Sequence, residues 1–98
     1  FTALHLLTSC HAMRVLSPFL HEPRYAWRWY WQAYAAAVAA AGMTQEPPCR
    51  LRPWPELVAA ALASDDDHLI KLVDSCREEE AAYGGSDWQR AASRALAG

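Results

Sequence analysis

Glycine is scarce in this chain: four residues of 98, none of them in a spaced, loop-forming run. Without a GxGxxG turn or a phosphate-cradling loop, a Rossmann-type dinucleotide site is excluded. Positive charge is not in excess either. Nine Lys and Arg face eleven Asp and Glu, for a formal charge of -2, so bulk electrostatics favours neither nucleic acid nor an anionic membrane as partner. The longest apolar run, Ala33 to Ala41, is less than half a membrane span, and no basic-then-apolar leader opens the chain. Cys10, Cys49 and Cys76 are odd in number and irregularly spaced. They match neither a secreted disulfide framework nor a CxxC zinc knuckle, and a reducing cytoplasm is the expected home. Sustained β alternation, internal repeats and low-complexity tracts are missing as well.

What the sequence does hold is apolar and aromatic. It is 53% hydrophobic, with five Trp and four Tyr, far too apolar for a disordered tail. A chain this short encloses only a small core, so a deep substrate cavity is not expected, and part of the aromatic surface is expected to meet another polypeptide. The first residue is Phe1, not Met, and an apolar helical pattern begins at once with no capping residue before it. Either a processed start or missing upstream chain is the expectation.

Five helices are predicted. Leu4, Leu7, Met13 and Leu16 recur at roughly helical spacing, giving a first helix over 2–16 that stops before Ser17-Pro18. Ser17 to Arg24 carries two prolines and reads as a connection. Tyr25 to Ala41 lacks Gly and Pro, is loaded with Ala and stops at Gly42, giving a second helix. Aromatics lie on every side of its first half, Tyr25 to Tyr34, so neighbours are expected to wrap it. Met43 to Pro55 holds four prolines and reads as a loop. Pro55 then opens a short third helix through Glu56 to Ala63. The stretch Ser64 to Asp67 offers capping side chains and negative charge to a fourth helix running to about Tyr83, with Leu69, Leu72, Val73 and Cys76 as its apolar stripe. Gly84-Gly85 breaks that helix, and a fifth follows over Trp88 to Ala97, capped by Ser86 or Asp87. The expected fold class is all-α, orthogonal or bundle-like, as one segment of a larger all-helical protein.

Four histidines invite a chemical reading. His5 lies among leucines on a helix expected to be largely buried, where a hydrogen-bonded core histidine competes with a metal ligand. His11 is six positions further, roughly 120° around the helix, so the two cannot both face one ion without distortion. His21, in the Pro-containing connection, is expected to be solvated. His68 and Lys71 share a helical flank three residues apart. One reading makes them a boundary histidine and a solvated lysine paired with Asp67 or Ser75. The other uses the imidazole as a borderline ligand and the lysine, once neutral and carbamylated, as a carboxylate donor, with the Asp65 to Asp67 run supplying second-shell acceptors or a further ligand. Ser9, Cys10 and His11 are consecutive on one helix and cannot face one another as a catalytic set.

Two stretches resemble the questin oxidase-like family. Phe1-Thr-Ala-Leu-His-Leu-Leu-Thr-Ser-Cys-His-Ala-Met-Arg14 is similar to an LH(x)xT element followed by an Ala-Leu-Arg-like turn. Trp54-Pro-Glu-Leu-Val58 with Ala61 to Leu72, then Ala91-Ala and a closing helix, is similar to the family's terminal W-x-E-L, A-L-x-S-x-D-x-H-x-I-K-L stretch; the agreement is most specific over Asp65 to Leu72. The resemblance implies oxidative ring cleavage of an anthraquinone-type polycyclic aromatic ketone, of Baeyer-Villiger or dioxygenase character. It implies a non-haem iron site with His5, His68 and a carbamylated Lys71 as metal ligands, and NADPH as electron donor. His11 becomes a further ligand or the group that positions a substrate oxygen. It also implies longer proteins, whose amino-terminal helices, a partner chain or a second copy would complete the site.

Two other readings stay open on the residues. One is a non-catalytic helical interaction module that docks through the aromatic helix Tyr25 to Tyr34. The other is a binder of planar ligands built on Trp27, Trp31 and Tyr34.

Overall fold

The computed structural model describes residues 2–42 and 48–97, and within them the chain is all-α, with five helices and no strand. Two compact units divide it, Phe1–Gln45 and Glu46–Gly98.

The first unit pairs α1 (Thr2–Leu16) with α2 (Pro23–Ala41) across a short 3-10 turn, Ser17–Phe19. α2 begins two residues before the predicted Tyr25, because Pro23 suits a first helical position: its ring presets φ, and its missing N–H would have had no helical partner. Gly42 ends the helix in the left-handed region at φ 61°, as expected of a C-terminal glycine. Side chains tie the pair together. The Trp27 indole N–H donates to Ser17 Oγ at 3.0 Å and its ring meets Tyr30 edge-on, while Tyr30 OH donates to the Leu6 carbonyl at 3.1 Å. No described side chain of this unit is fully buried, so the expectation of a largely buried first helix is not met: Leu4, Leu7 and Met13 are half-buried, and Val15 and Leu16 are exposed. The aromatics of α2 divide by face. Trp27, Tyr30 and Tyr34 are half-buried, whereas Tyr25, Trp29 and Trp31 are exposed, Trp29 to 69%.

The second unit holds the buried core. Leu57 and Ala61 of α3 (Trp54–Ser64), Leu72, Val73 and Cys76 of α4 (Asp67–Tyr83) and Ala92 of α5 (Asp87–Ala95) meet there, α4 packing against both of its neighbours. Of the predicted α4 stripe, Leu69 alone is less than fully buried. Burying one such leucine contributes roughly 1.5–3 kcal/mol. The polar groups inside are satisfied: Ser93 Oγ accepts from Arg52 N at 3.0 Å, and the Trp54 indole donates to Glu80 at 2.9 Å. Gln89 Nε2 donates to the Arg52 carbonyl at 2.6 Å, which together with the Ser93 bond pins the segment before α3 to α5.

Each residue of the aspartate run has its own task. Asp65 ends α3 in the left-handed region at φ 54°, which a short polar side chain tolerates. Asp66 caps α4, its carboxylate accepting the His68 N–H at 2.9 Å, and Asp67 opens the first turn beside the positive end of the helix dipole. α5 starts one residue before the predicted Trp88 and stops two before Ala97, where Leu96 N–H bonds Ala92 O and Ala97 N–H bonds Arg94 O. Ser86 occupies the cap position without a side-chain bond, and Asp87 pairs instead with Arg90 at 2.8 Å.

Candidate functional site

The start of α4 gathers an imidazole and two carboxylates. His68 Nδ1 lies 3.3 Å from Asp66 Oδ1 and 3.2 Å from Asp67 Oδ1, and one ligand atom from each of the three residues falls within 4.8 Å of the others. The capping geometry explains the closeness. Asp66 must fold back onto the His68 N–H, which carries its carboxylate to the flank where the ring sits. The ring nitrogen and the two carboxylate oxygens are close enough for all three residues to turn a ligand atom toward one cation.

Lys71 lies one turn further along the same flank and donates to Asp67 Oδ2 at 3.1 Å. This bond lowers the Asp67 carboxyl below the usual 3.8, with the charges of Lys71 and His68 adding to it. Asp67 is therefore anionic at neutral pH and ready to act as a donor. The predicted pair His68 and Lys71 is thus brought together through one carboxylate, Asp67, and the Lys71 side chain is 69% exposed.

His5 and His11 belong to the first unit, on α1. His5 is exposed, contrary to the core-histidine reading, and stands at the edge of an open cleft of about 530 Å³ between α1 and α2; His11 is half-buried and His21 exposed. The residue pattern did not single out the pair inside that cleft, Ser9 Oγ and Tyr30 OH, 2.9 Å apart. A serine on an apolar helix and a tyrosine among tryptophans carry no motif, and they meet only because the two helices pack. Trp31 and Tyr34 stack with centroids 5.7 Å apart and planes at 13°, whereas the Trp27 ring is taken up by Ser17 and Tyr30.

These features define an all-helical protein with an imidazole–carboxylate cluster on one helix and an aromatic-walled cleft between two others. The family model for questin oxidase-like proteins matches residues 1–76, and the chain belongs to that family. No curated protein matches the chain, and no solved structure does.

Proposed function

We propose that the chain serves an oxidoreductase of questin oxidase type, opening a ring of an anthraquinone-like polycyclic aromatic ketone at a non-haem metal site. Membership of the family over residues 1–76, a span that includes His5, His11, His68 and Lys71, carries the reading. The chemistry of the α4 donors fits it. One imidazole and two carboxylates suit iron in its divalent state better than a softer ion.

His68 is the proposed imidazole ligand, with the Asp66 and Asp67 carboxylates as the nearest anionic donors. Lys71 enters as a ligand by carbamylation. The ammonium first gives up one proton, the freed amine adds carbon dioxide with formation of a C–N bond, and a second proton leaves, so a cation becomes a carboxylate-bearing anion and Asp67 loses its salt bridge. A metal bound here would supply dioxygen activation or Lewis acidity at a ring carbonyl. In the Baeyer-Villiger form of the reaction, one atom of dioxygen enters between the carbonyl and its neighbouring carbon and the other leaves as water, NADPH and a proton supplying the two electrons, and water then cleaves the resulting lactone to open the ring. The resemblance gives His5 a ligand role and His11 the positioning of a substrate oxygen.

Elemental analysis of anaerobically purified protein tests the reading, wild type beside His68→Ala, Lys71→Ala, His5→Ala and His11→Ala. Near-stoichiometric iron, lost in the His68, Lys71 and His5 variants and kept in His11→Ala, is the expected result. Iron that survives His68→Ala would overturn the ligand assignment. A metal-free wild type that captures a protein partner would favour the docking module instead, for which the exposure of Trp29 and Trp31 speaks.

A further inference from the structure

We propose that α2 pairs antiparallel with α2 of a second copy of this chain, through the face it turns away from α1. The aromatic half of each helix then lies against the alanine half of the other. The inference does not rest on the oxygenase reading, since no residue of this face is among the proposed ligands.

The face is read from the helix itself. Tyr25, Trp29, Gln32, Ala36 and Ala40 fall within about 80° of arc on an ideal helix, and all five are exposed. Trp27, Tyr30 and Tyr34 are half-buried on the opposite side, where α2 meets α1 and the 3-10 turn. From Trp29 to Gly42 the sequence has no charged residue, and Gln32 is the one polar side chain on the face beyond Tyr25. A solvated helix face ordinarily carries charge. This one carries Tyr25 and a tryptophan 69% exposed, followed by methyl groups.

Shape selects the occupant. Bulk is confined to the first half of the face and alanine to the second, so the face complements itself only when a second helix runs the other way. With Trp29 set over Ala36 of the second copy, Tyr25 falls over Ala40, and the two-fold axis repeats both contacts. The axis passes between positions 32 and 33, where Gln32 meets its counterpart. A carboxamide both donates and accepts, so the two satisfy each other and fix the register.

Charge selects the same direction. Arg24 stands in the first turn of α2, and the last turn has no basic residue to meet the negative end of the helix dipole. In the antiparallel register Arg24 of one copy comes level with Ala41 of the other and supplies that cation. A parallel pair would instead set Arg24 and Arg28 beside their own counterparts and leave Ala36 facing Ala36, with like charges close and little apolar surface to bury.

Sedimentation equilibrium of the whole chain under reducing conditions tests the pairing, with far-UV circular dichroism to check that each variant keeps its helix content. The expected wild type is a reversible dimer of twice the 10.9 kDa chain mass. Trp29→Ala raises the dissociation constant at least about thirtyfold, as loss of a central tryptophan does. Ala36→Trp sets indole against indole and is monomeric. The double variant Trp29→Ala/Ala36→Trp exchanges the large and small partners and regains the dimer. Trp31→Ala removes a tryptophan nearly as exposed, but about 200° around the helix from Trp29 and stacked on Tyr34, and leaves the equilibrium unchanged. A wild type that stays monomeric at its solubility limit overturns the proposal and leaves the face to a different polypeptide. A dimer indifferent to Trp29→Ala, one lost in Trp31→Ala, or a double variant that stays monomeric overturns it equally.

Discussion

Asp67 bridges His68 and Lys71: its Oδ1 lies 3.2 Å from His68 Nδ1 and its Oδ2 lies 3.1 Å from Lys71 Nζ. Both proposed ligands of α4 therefore answer to one carboxylate, and the charge of that carboxylate is the first quantity to measure.

Folding lowers the Asp67 carboxyl below the usual 3.8, chiefly through the Lys71 hydrogen bond. Its contribution to stability is accordingly complete above that value and is lost as pH falls below it, through the lowered pKa. Lys71→Met should move the Asp67 titration midpoint upward toward 3.8 in a carboxyl-carbon NMR titration. A midpoint that stays put would separate Lys71 from the effect.

Asp66 holds the first turn of α4 through the His68 N–H. Asp66→Ala removes that acceptor and should cost about 0.5–2 kcal/mol in urea unfolding, whereas Asp66→Asn should keep most of it. Equal losses in the two variants would mean that charge, not the cap bond, matters at this position.

Cys76 sits in the core of the second unit, fully buried, and burial with Glu79 and Glu80 nearby pushes its thiol up to about 12. Because this pKa is raised on folding, the neutral thiol's contribution is whole below the usual 9.0 and declines as pH climbs through 9.0 toward 12. At pH 8 a thiol reagent should titrate the half-buried Cys10 and Cys49 in the native protein and reach Cys76 only in guanidinium. Three equally fast thiols in the native protein would contradict the packing.

Leu57 and Leu62 lie on the same helix, one fully buried and the other 63% exposed. Leu57→Ala should cost about 2–5 kcal/mol and Leu62→Ala no more than about 0.5 kcal/mol by denaturant unfolding. The contrast tests whether the α3–α4–α5 core is as drawn, because helix propensity changes equally in both.

The sequence was informative wherever the relevant residues are neighbours along the chain. The five helices, the stop at Gly42, the break at Gly84 and the stripe Leu72, Val73, Cys76 all follow from spacing within one or two turns, and the observed boundaries depart from expectation by two residues or fewer. Those departures have local causes too, since Pro23 and Pro55 both sit in first turns, where an absent N–H costs nothing. The shared flank of His68 and Lys71, with a solvated Lys71 paired to Asp67, was legible for the same reason. The exposure of His5 was not, because it depends on how much of α1 its partner covers.

The sequence by itself determined the all-α class, the helix limits and the membership of residues 1–76 in the questin oxidase-like family, since these depend on patterns repeating over a few positions and on motif order. Tertiary structure alone decided the contacts that make surfaces and sites. Ser9 meets Tyr30 across 21 positions, Trp54 meets Glu80 across 26, and Arg52 meets Ser93 across 41. No local periodicity carries such pairs. They exist because burial of apolar faces brings helices together, and the polar groups carried along must then find partners.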